Sequence, residues 1–187
     1  ILKNIIQAQL LLIKKKNQYN MKQLSILLLV ISTLMLQAQE IVEKEIKTQI
    51  TINQTPEKVW SILTNFNDYG RWNPFIVSIT GKPLVGNILV VVMKLQENKE
   101  MTFKPKVVAF ANNEKLIWKG KLLMKCIFDG EHQFYLIDNG NGTTTFIQNE
   151  KFNGILVPFM KNLIEVDTFN NFKNFNEAIK IEAEKLG

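Results

Sequence analysis

His132 is the single histidine of the chain, and Gln148 and Glu150 follow it on the far side of Asn139-Gly140-Asn141-Gly142. Around these residues polar and apolar positions alternate. His132, Phe134 and Leu136 oppose Glu131, Gln133 and Tyr135, while Phe146, Gln148, Glu150 and Phe152 oppose Thr145, Asn149 and Lys151. A period of two is the signature of a strand, so the three polar residues share one face with large apolar side chains. A hairpin pairs residues of the same face, which sets His132 opposite either Gln148 or Glu150 across a three-residue loop containing Gly. Opposed side chains lie about 5 Å apart at Cβ and diagonal ones about 7–8 Å, so the imidazole reaches at least one partner. Imidazole beside carboxylate is a general acid–base pair. It is equally a polar clamp for a ligand's head group. A third reading is a self-satisfied ladder, because buried polar groups need partners whatever their purpose.

The same alternation extends the wall. Met101, Phe103, Pro105 and Val107 oppose Thr102, Lys104 and Lys106, and Leu116, Trp118 and Gly120 oppose Lys115, Lys119 and Lys121. The candidate ligand-binding set is therefore Phe103, Trp118, His132, Phe134, Gln148, Glu150 and Phe152, with His132 and Glu150 as the catalytic candidates. The lysine rows read as solvated strand faces. Arg71 and Trp72 are expected to anchor a short helix rather than line a portal. Cys126 reads as an inert, half-buried thiol. One His and one Cys leave too few ligands for a metal centre, and no phosphate loop, dinucleotide fingerprint, HExxH or GxSxG is present, so neither metal nor cofactor is expected.

The elements that must position this wall can be read in chain order. Ile46 to Asn53 alternates as a first strand. Thr55 and Pro56 open a short helix to Leu63, with Thr55 as N-cap and Pro56 where its missing N–H costs nothing. Asn67 to Trp72 forms a second helical turn ended by Pro74. From Phe75 to Phe152 come about six strands broken at Gly81-Lys82-Pro83, Gly86-Asn87, Glu97-Asn98, Asn112-Asn113, Asp129-Gly130 and Asn139 to Gly142. Short breaks imply antiparallel neighbours. After Pro158 the period changes: Phe159, Leu163, Val166, Phe169, Phe172, Ile179, Ala183 and Leu186 recur at three- and four-residue steps, one long amphipathic helix with Lys, Asn and Glu outside. The expected class is α+β, a curved antiparallel sheet of about seven strands wrapped around the C-terminal helix.

Residues 1–38 are set apart from this domain, which spans 39–187. Lys22 and the apolar run Leu24 to Leu36, closed by Leu36-Gln37-Ala38, have the pattern of a cleavable signal peptide whose true start is Met21. The expectation is export to periplasm or medium, with the mature chain beginning at or near Gln39 and carrying no membrane span. The net charge of +6 belongs largely to this segment, which holds five lysines and no acid. Beyond Ala38 there are 18 basic and 17 acidic residues, too balanced for a nucleic-acid binder.

The order of elements, with Trp72-Asn73-Pro74-Phe75, Leu116-Ile117-Trp118, Gly130-Glu131-His132-Gln133-Phe134 and Glu150-Lys151-Phe152-Asn153-Gly154, resembles the START-like (SRPBCC, polyketide cyclase/dehydrase-like) superfamily over nearly all of Glu45 to Glu184. The resemblance implies a helix-grip fold with a cavity between sheet and helix. It also implies binding or transport of a small hydrophobic molecule, lipid-like or polycyclic. The alternatives are a cofactor-independent cyclase, dehydratase or hydrolase using His132 and Glu150, or an accessory module whose cavity is filled by its own side chains.

Overall fold

Alternation along the first strand is realised directly. In β1 (Glu43–Ile52) Ile46, Thr48 and Ile52 are buried, while Glu45, Lys47, Gln49 and Thr51 face solvent. The computed structural model describes residues 15, 20–30, 43–96, 99–122 and 127–185. The chain divides into two units, Ile1–Ile41 and Val42–Gly187. In the first, residues 20–30 form a helix in which Ser25 Oγ donates to the Met21 carbonyl at 2.9 Å. No helix among the described residues is long and apolar enough to cross a membrane. The expected cleavage point at Ala38–Gln39, Cys126 and the break at Glu97-Asn98 lie outside the described residues.

In the second unit, β1 leads into α1 (Pro56–Thr64), a 3₁₀ turn (Phe66–Asp68) and α2 (Tyr69–Trp72). Thr55 occupies the N-cap position with Pro56 behind it, but its side chain makes no capping hydrogen bond. Strands β2 (Ile76–Thr80), β3 (Val90–Gln96), β4 (Lys99–Phe103), β5 (Lys106–Ala111), β6 (Lys115–Leu122), β7 (Phe128–Asp138) and β8 (Thr144–Asn153) follow. The eight strands pair antiparallel in two sheets rather than one, a five-stranded sheet β1-β8-β7-β6-β5 and a three-stranded sheet β2-β3-β4. Leu89 N–H to the Pro105 carbonyl and Val107 N–H to the Asn87 carbonyl, at 2.9 and 2.8 Å, tie the segment before β3 to the segment around β5.

Two sequence expectations are corrected here. Asp129-Gly130 is not a turn but lies inside β7, where Gly130 pairs with both Gly120 and Phe152. Ladder pairing on both sides outweighs the local turn preference of Asp-Gly. The second correction concerns the C-terminal helix. A 3₁₀ turn (Val157–Met160) and a π-helical stretch (Leu163–Thr168) precede α3 (Phe169–Glu184). A π turn closes its hydrogen bonds one residue later than an α turn, so the apolar phase slips. Phe159, Val166 and Phe169, expected inside, are 83%, 52% and 39% exposed, and Ile164 is buried in their place. From Phe172 onward the α period holds, and Phe172, Phe175, Asn176, Ile179 and Ala183 form the buried stripe.

That stripe closes the fold. The Phe175 ring meets Tyr69, Trp72, Phe75, Phe134 and Phe146 at centroid distances of 5.3 to 6.3 Å. Tyr69, fully buried, donates its hydroxyl to the Leu63 carbonyl at 2.6 Å, and burial raises its phenol far above the usual value. A smaller cluster of Ile46, Phe128, Phe152, Val157, Ile164 and Phe172 lies toward the other end of the helix.

Candidate functional site

The hairpin of β7 and β8 decides the pairing that alternation left open. Asp138 pairs with Thr144, Asn139 N–H bonds the Thr143 carbonyl at 3.1 Å, and Gly140-Asn141-Gly142 forms the loop. Both glycines take φ near +75°, at 73° and 78°, a region L side chains rarely adopt. This register sets His132 directly opposite Glu150, with Gln148 one pair deeper, opposite Phe134. On the other side His132 pairs with Trp118 of β6.

His132 is held on every side. Its ring stacks on Phe134 at 4.2 Å, lies 4.7 Å from Phe172 of α3 and meets Trp118 edge-on at 5.5 Å. Nδ1 lies 3.0 Å from Glu150 Oε2, and Nε2 lies 3.2 Å from Gln148 Oε1. Gln148 Nε2 in turn donates to Asn176 Oδ1 at 2.6 Å and to the Phe172 carbonyl at 3.3 Å. Asn176 Nδ2 then donates to Thr48 Oγ1 at 3.1 Å. A continuous polar chain thus runs from Glu150 through the core to β1.

The partners assign the protons. A backbone carbonyl only accepts, so the Gln148 amide nitrogen must face Phe172, and its oxygen must face His132. Nε2 therefore carries a proton. The close approach of Nδ1 and Oε2 then requires one more proton between them. It can rest on the imidazole, giving an ion pair, or on the carboxyl, giving two neutral partners. In both cases the two ring nitrogens of His132 are fully committed.

In front of this pair lies a cavity of about 210 Å³. Its walls are Phe75, Ile76, Met93, Met101 and Phe103 on the small-sheet side, Trp118, His132, Glu150 and Phe152 on the large sheet's side, and Phe172 of α3. Gly120 and Gly130, paired on adjacent strands, leave a patch of bare backbone in the wall. A Cβ at Gly130 would lie 2.5 Å from Glu150 Oε1, so the missing side chain is what lets the carboxyl lie there. Lys121 and Asp167, both exposed, line the cavity where it meets solvent, with Thr168 and Asn171 beside them.

Of the seven residues expected to face a ligand, Phe103, Trp118, His132, Glu150 and Phe152 line this cavity. Phe134 and Gln148 do not. Both are fully buried one ladder step deeper, behind His132, where they support it. Asn176, expected on the outer face with the other polar residues of the helix, is buried at 3% exposure and completes the chain. Its position between Phe172 and Ile179 at helical spacing was the signal for it. Phe75, Ile76, Met93, Phe128 and Asn171 were not read as wall residues, since nothing local ties them to these strands. Among the described residues no group of three or more His, Cys, Asp or Glu could hold a metal ion.

Arg71 and Trp72 act as anchors. Trp72 packs on Tyr69 and Phe175 at 4.9 and 5.3 Å. Arg71 bonds Asp68 at 2.8 and 3.2 Å and forms a two-pronged contact with Glu182 of α3. The Arg71 guanidinium, then Lys185, holds the Glu182 carboxyl down to about 2 from its ordinary 4.5. A depressed carboxylate stabilises the fold above its unfolded value and loses that contribution as pH falls through its folded one. Wild type should therefore be more stable than Glu182→Gln at pH 6, and the gap should close between pH 4.5 and 2 in chemical-denaturation curves. A gap that persisted at pH 2 would contradict the anchor.

A family model described as polyketide cyclase / dehydrase and lipid transport matches residues 43–184. Solved structures share the fold at low identity. Norcoclaurine synthase from Thalictrum flavum, a point mutant in complex with a transition-state analogue, aligns with TM-score 0.60 at 15% identity, over 77% of this chain and 96% of its own. The Zhui aromatase/cyclase from Streptomyces sp. R1128 aligns with TM-score 0.63 at 11% identity, over 76% and 94%. A protein of unknown function from Staphylococcus aureus aligns with TM-score 0.61 at 13% identity, over 78% and 96%. No curated protein matches the chain in sequence.

Proposed function

The chain belongs to the polyketide cyclase/dehydrase and lipid transport family, and from that premise we propose that its Val42–Gly187 unit binds a small hydrophobic molecule in the cavity between its sheets and α3. The observation that carries this reading is the cavity itself: about 210 Å³ walled by aromatic, methionine and bare glycine positions. The His132 imidazole is already satisfied internally, through Glu150 and Gln148. Such a wall gains by covering apolar surface and needs no further partner for His132.

An apolar solvatochromic dye should bind saturably with about micromolar affinity, roughly −8 kcal/mol. A Cβ at Gly120 would make only ordinary contacts, 3.6–3.9 Å, with Phe103 and Pro105. Gly120→Leu should therefore fold, fill the cavity and weaken the dye by at least about tenfold, roughly 1.4 kcal/mol. Lys119→Ala, on the exposed face, should leave binding unchanged. Absence of saturable binding by folded wild type would sink the reading.

The committed imidazole also constrains the enzymatic alternative. With Nδ1 on Glu150 and Nε2 on Gln148, His132 has no nitrogen free to meet a substrate. Proton transfer would run through Glu150, with His132 as its positioning residue. An activity that survived Glu150→Gln intact would exclude that route.

A further inference from the structure

We infer that the molecule bound here enters with a hydrogen-bond donor at its leading end, a hydroxyl or amine on a body about the size of one aromatic ring, and that Glu150 Oε1 receives it. This rests on the binding role proposed above and specifies its ligand.

The ladder shows which end of the cavity is the inner one. Trp118, His132 and Glu150 form one layer across β6, β7 and β8, and Gly120, Gly130 and Phe152 the next. The layer on the other side, Leu116, Phe134 and Gln148, is fully buried and forms no part of the cavity wall. A ligand therefore stops at the His132 layer. The exposed residues Lys121 and Asp167 belong to the opposite, solvent-facing end.

At the inner end the charged and strongly polar atoms reduce to one. Both nitrogens of His132 are engaged, and Glu150 Oε2 is engaged with Nδ1. Glu150 Oε1 lies over the bare backbone of Gly130 and accepts no hydrogen bond among the described residues. Its character does not depend on where the shared proton rests. If the proton is on the imidazole, Oε1 is a carboxylate oxygen. If it is on Oε2, Oε1 is the carbonyl oxygen of a neutral acid. Both accept and neither donates. The remaining polar group of the layer, the indole N–H of Trp118, carries no charge to offset an anion.

An alcohol, phenol or amine thus supplies what Oε1 lacks. A carboxylate or phosphate at this end would bring acceptor against acceptor in an apolar wall, where an unpaired charge is costly. Its head group would have to remain outside, near Lys121 and Asp167. Size narrows the class further. Pockets for drug-sized ligands run roughly 300–1,000 Å³, and a dry cavity of about 150 Å³ already accepts benzene. A volume of about 210 Å³ suits one ring with a short substituent.

Three probes of one shape separate the possibilities: 4-propylphenol, propylbenzene and 4-propylbenzoate, titrated calorimetrically into the full chain. The phenol should bind about tenfold more tightly than propylbenzene, the worth of one hydrogen bond to a charged or strongly polar acceptor. The benzoate should bind more weakly than either. Glu150→Leu should bring phenol and propylbenzene to within about twofold, by removing that bond. Glu150→Gln should keep the phenol preference, because its amide can donate to Nδ1 while its oxygen stays an acceptor. Equal binding of phenol and propylbenzene, or benzoate as the tightest probe, would overturn the inference and leave the hydrophobic-binding role standing. Failure of all three probes would overturn both. A phenol preference lost in Glu150→Gln with its fold intact would show that Oε1 is not the receiving atom.

Discussion

Gln148→Leu is expected to cost about 3 kcal/mol of stability, although it replaces a side chain that touches no ligand and is close to Leu in size. Gln148 is the junction of the polar chain: it accepts from His132 Nε2 and donates to Asn176 Oδ1 and the Phe172 carbonyl. Leucine would leave a buried N–H on His132 and a buried carbonyl oxygen on Asn176 without partners, at about 1–3 kcal/mol each. For a domain of this size each kcal/mol is worth about 2–4 °C, so the melting temperature should fall by about 6–12 °C. Adding Asn176→Leu should return part of the loss, since the orphaned oxygen goes with it and Thr48 can turn its hydroxyl elsewhere. A Gln148→Leu protein within about 0.5 kcal/mol of wild type would mean the chain does not stabilise the fold. The same connectivity limits repair at the cavity end. His132→Phe with Glu150→Leu removes the pair but strands Gln148 Oε1, so only a triple change that includes Gln148→Leu clears the wall back to Asn176.

Phe175→Ala should be at least as damaging, at about 3–5 kcal/mol. The ring is fully buried and packs against five aromatic rings, from Tyr69 and Trp72 of α2 to Phe134 and Phe146 of the large sheet. No neighbour is positioned to fill the space, because Trp72 and Tyr69 are braced by the helix and by the Leu63 carbonyl. Against a typical total of about 5–15 kcal/mol the loss is large. Phe169→Ala, on the partly exposed phase left by the π-helical stretch, should stay within about 0.5 kcal/mol. Equilibrium urea unfolding of the two variants checks both values. Similar losses for the two would mean that the helix presents a different face to the sheet.

The inward faces of the four segments holding Phe103, Trp118, His132 and Glu150 were legible from alternation alone. Trp118, His132, Glu150, Phe103 and Phe152 line the cavity as the period of two requires, because the pleat sends alternate side chains to opposite faces wherever a strand goes. Depth was not legible. Phe134 and Gln148 obey the same alternation and yet support the site from behind, since distance along the ladder depends on where α3 covers the sheet. Local chemistry misread two further places. Asp129-Gly130 has the composition of a turn, but pairing on both edges kept it extended and turned Gly130 into space for a carboxyl. The helical period after Pro158 was sound only from Phe172 on, because a wider turn before it moved Val166 and Phe169 outward.

Sequence by itself determined the broad order of elements, the family resemblance, the faces of the segments holding Phe103, Trp118, His132 and Glu150, and the three polar residues of the β7–β8 hairpin. These follow from near-neighbour rules: pleat, helical period and turn stereochemistry. Tertiary structure alone decided that His132 pairs across the ladder with Glu150 rather than Gln148, that Gln148 reaches Asn176 and through it Thr48, and that Glu150 Oε1 lies over the bare backbone of Gly130. Those outcomes depend on register and on the phase of a helix packed across the sheet, which no local pattern encodes. A buried polar group takes whichever partner the packing brings within about 3 Å.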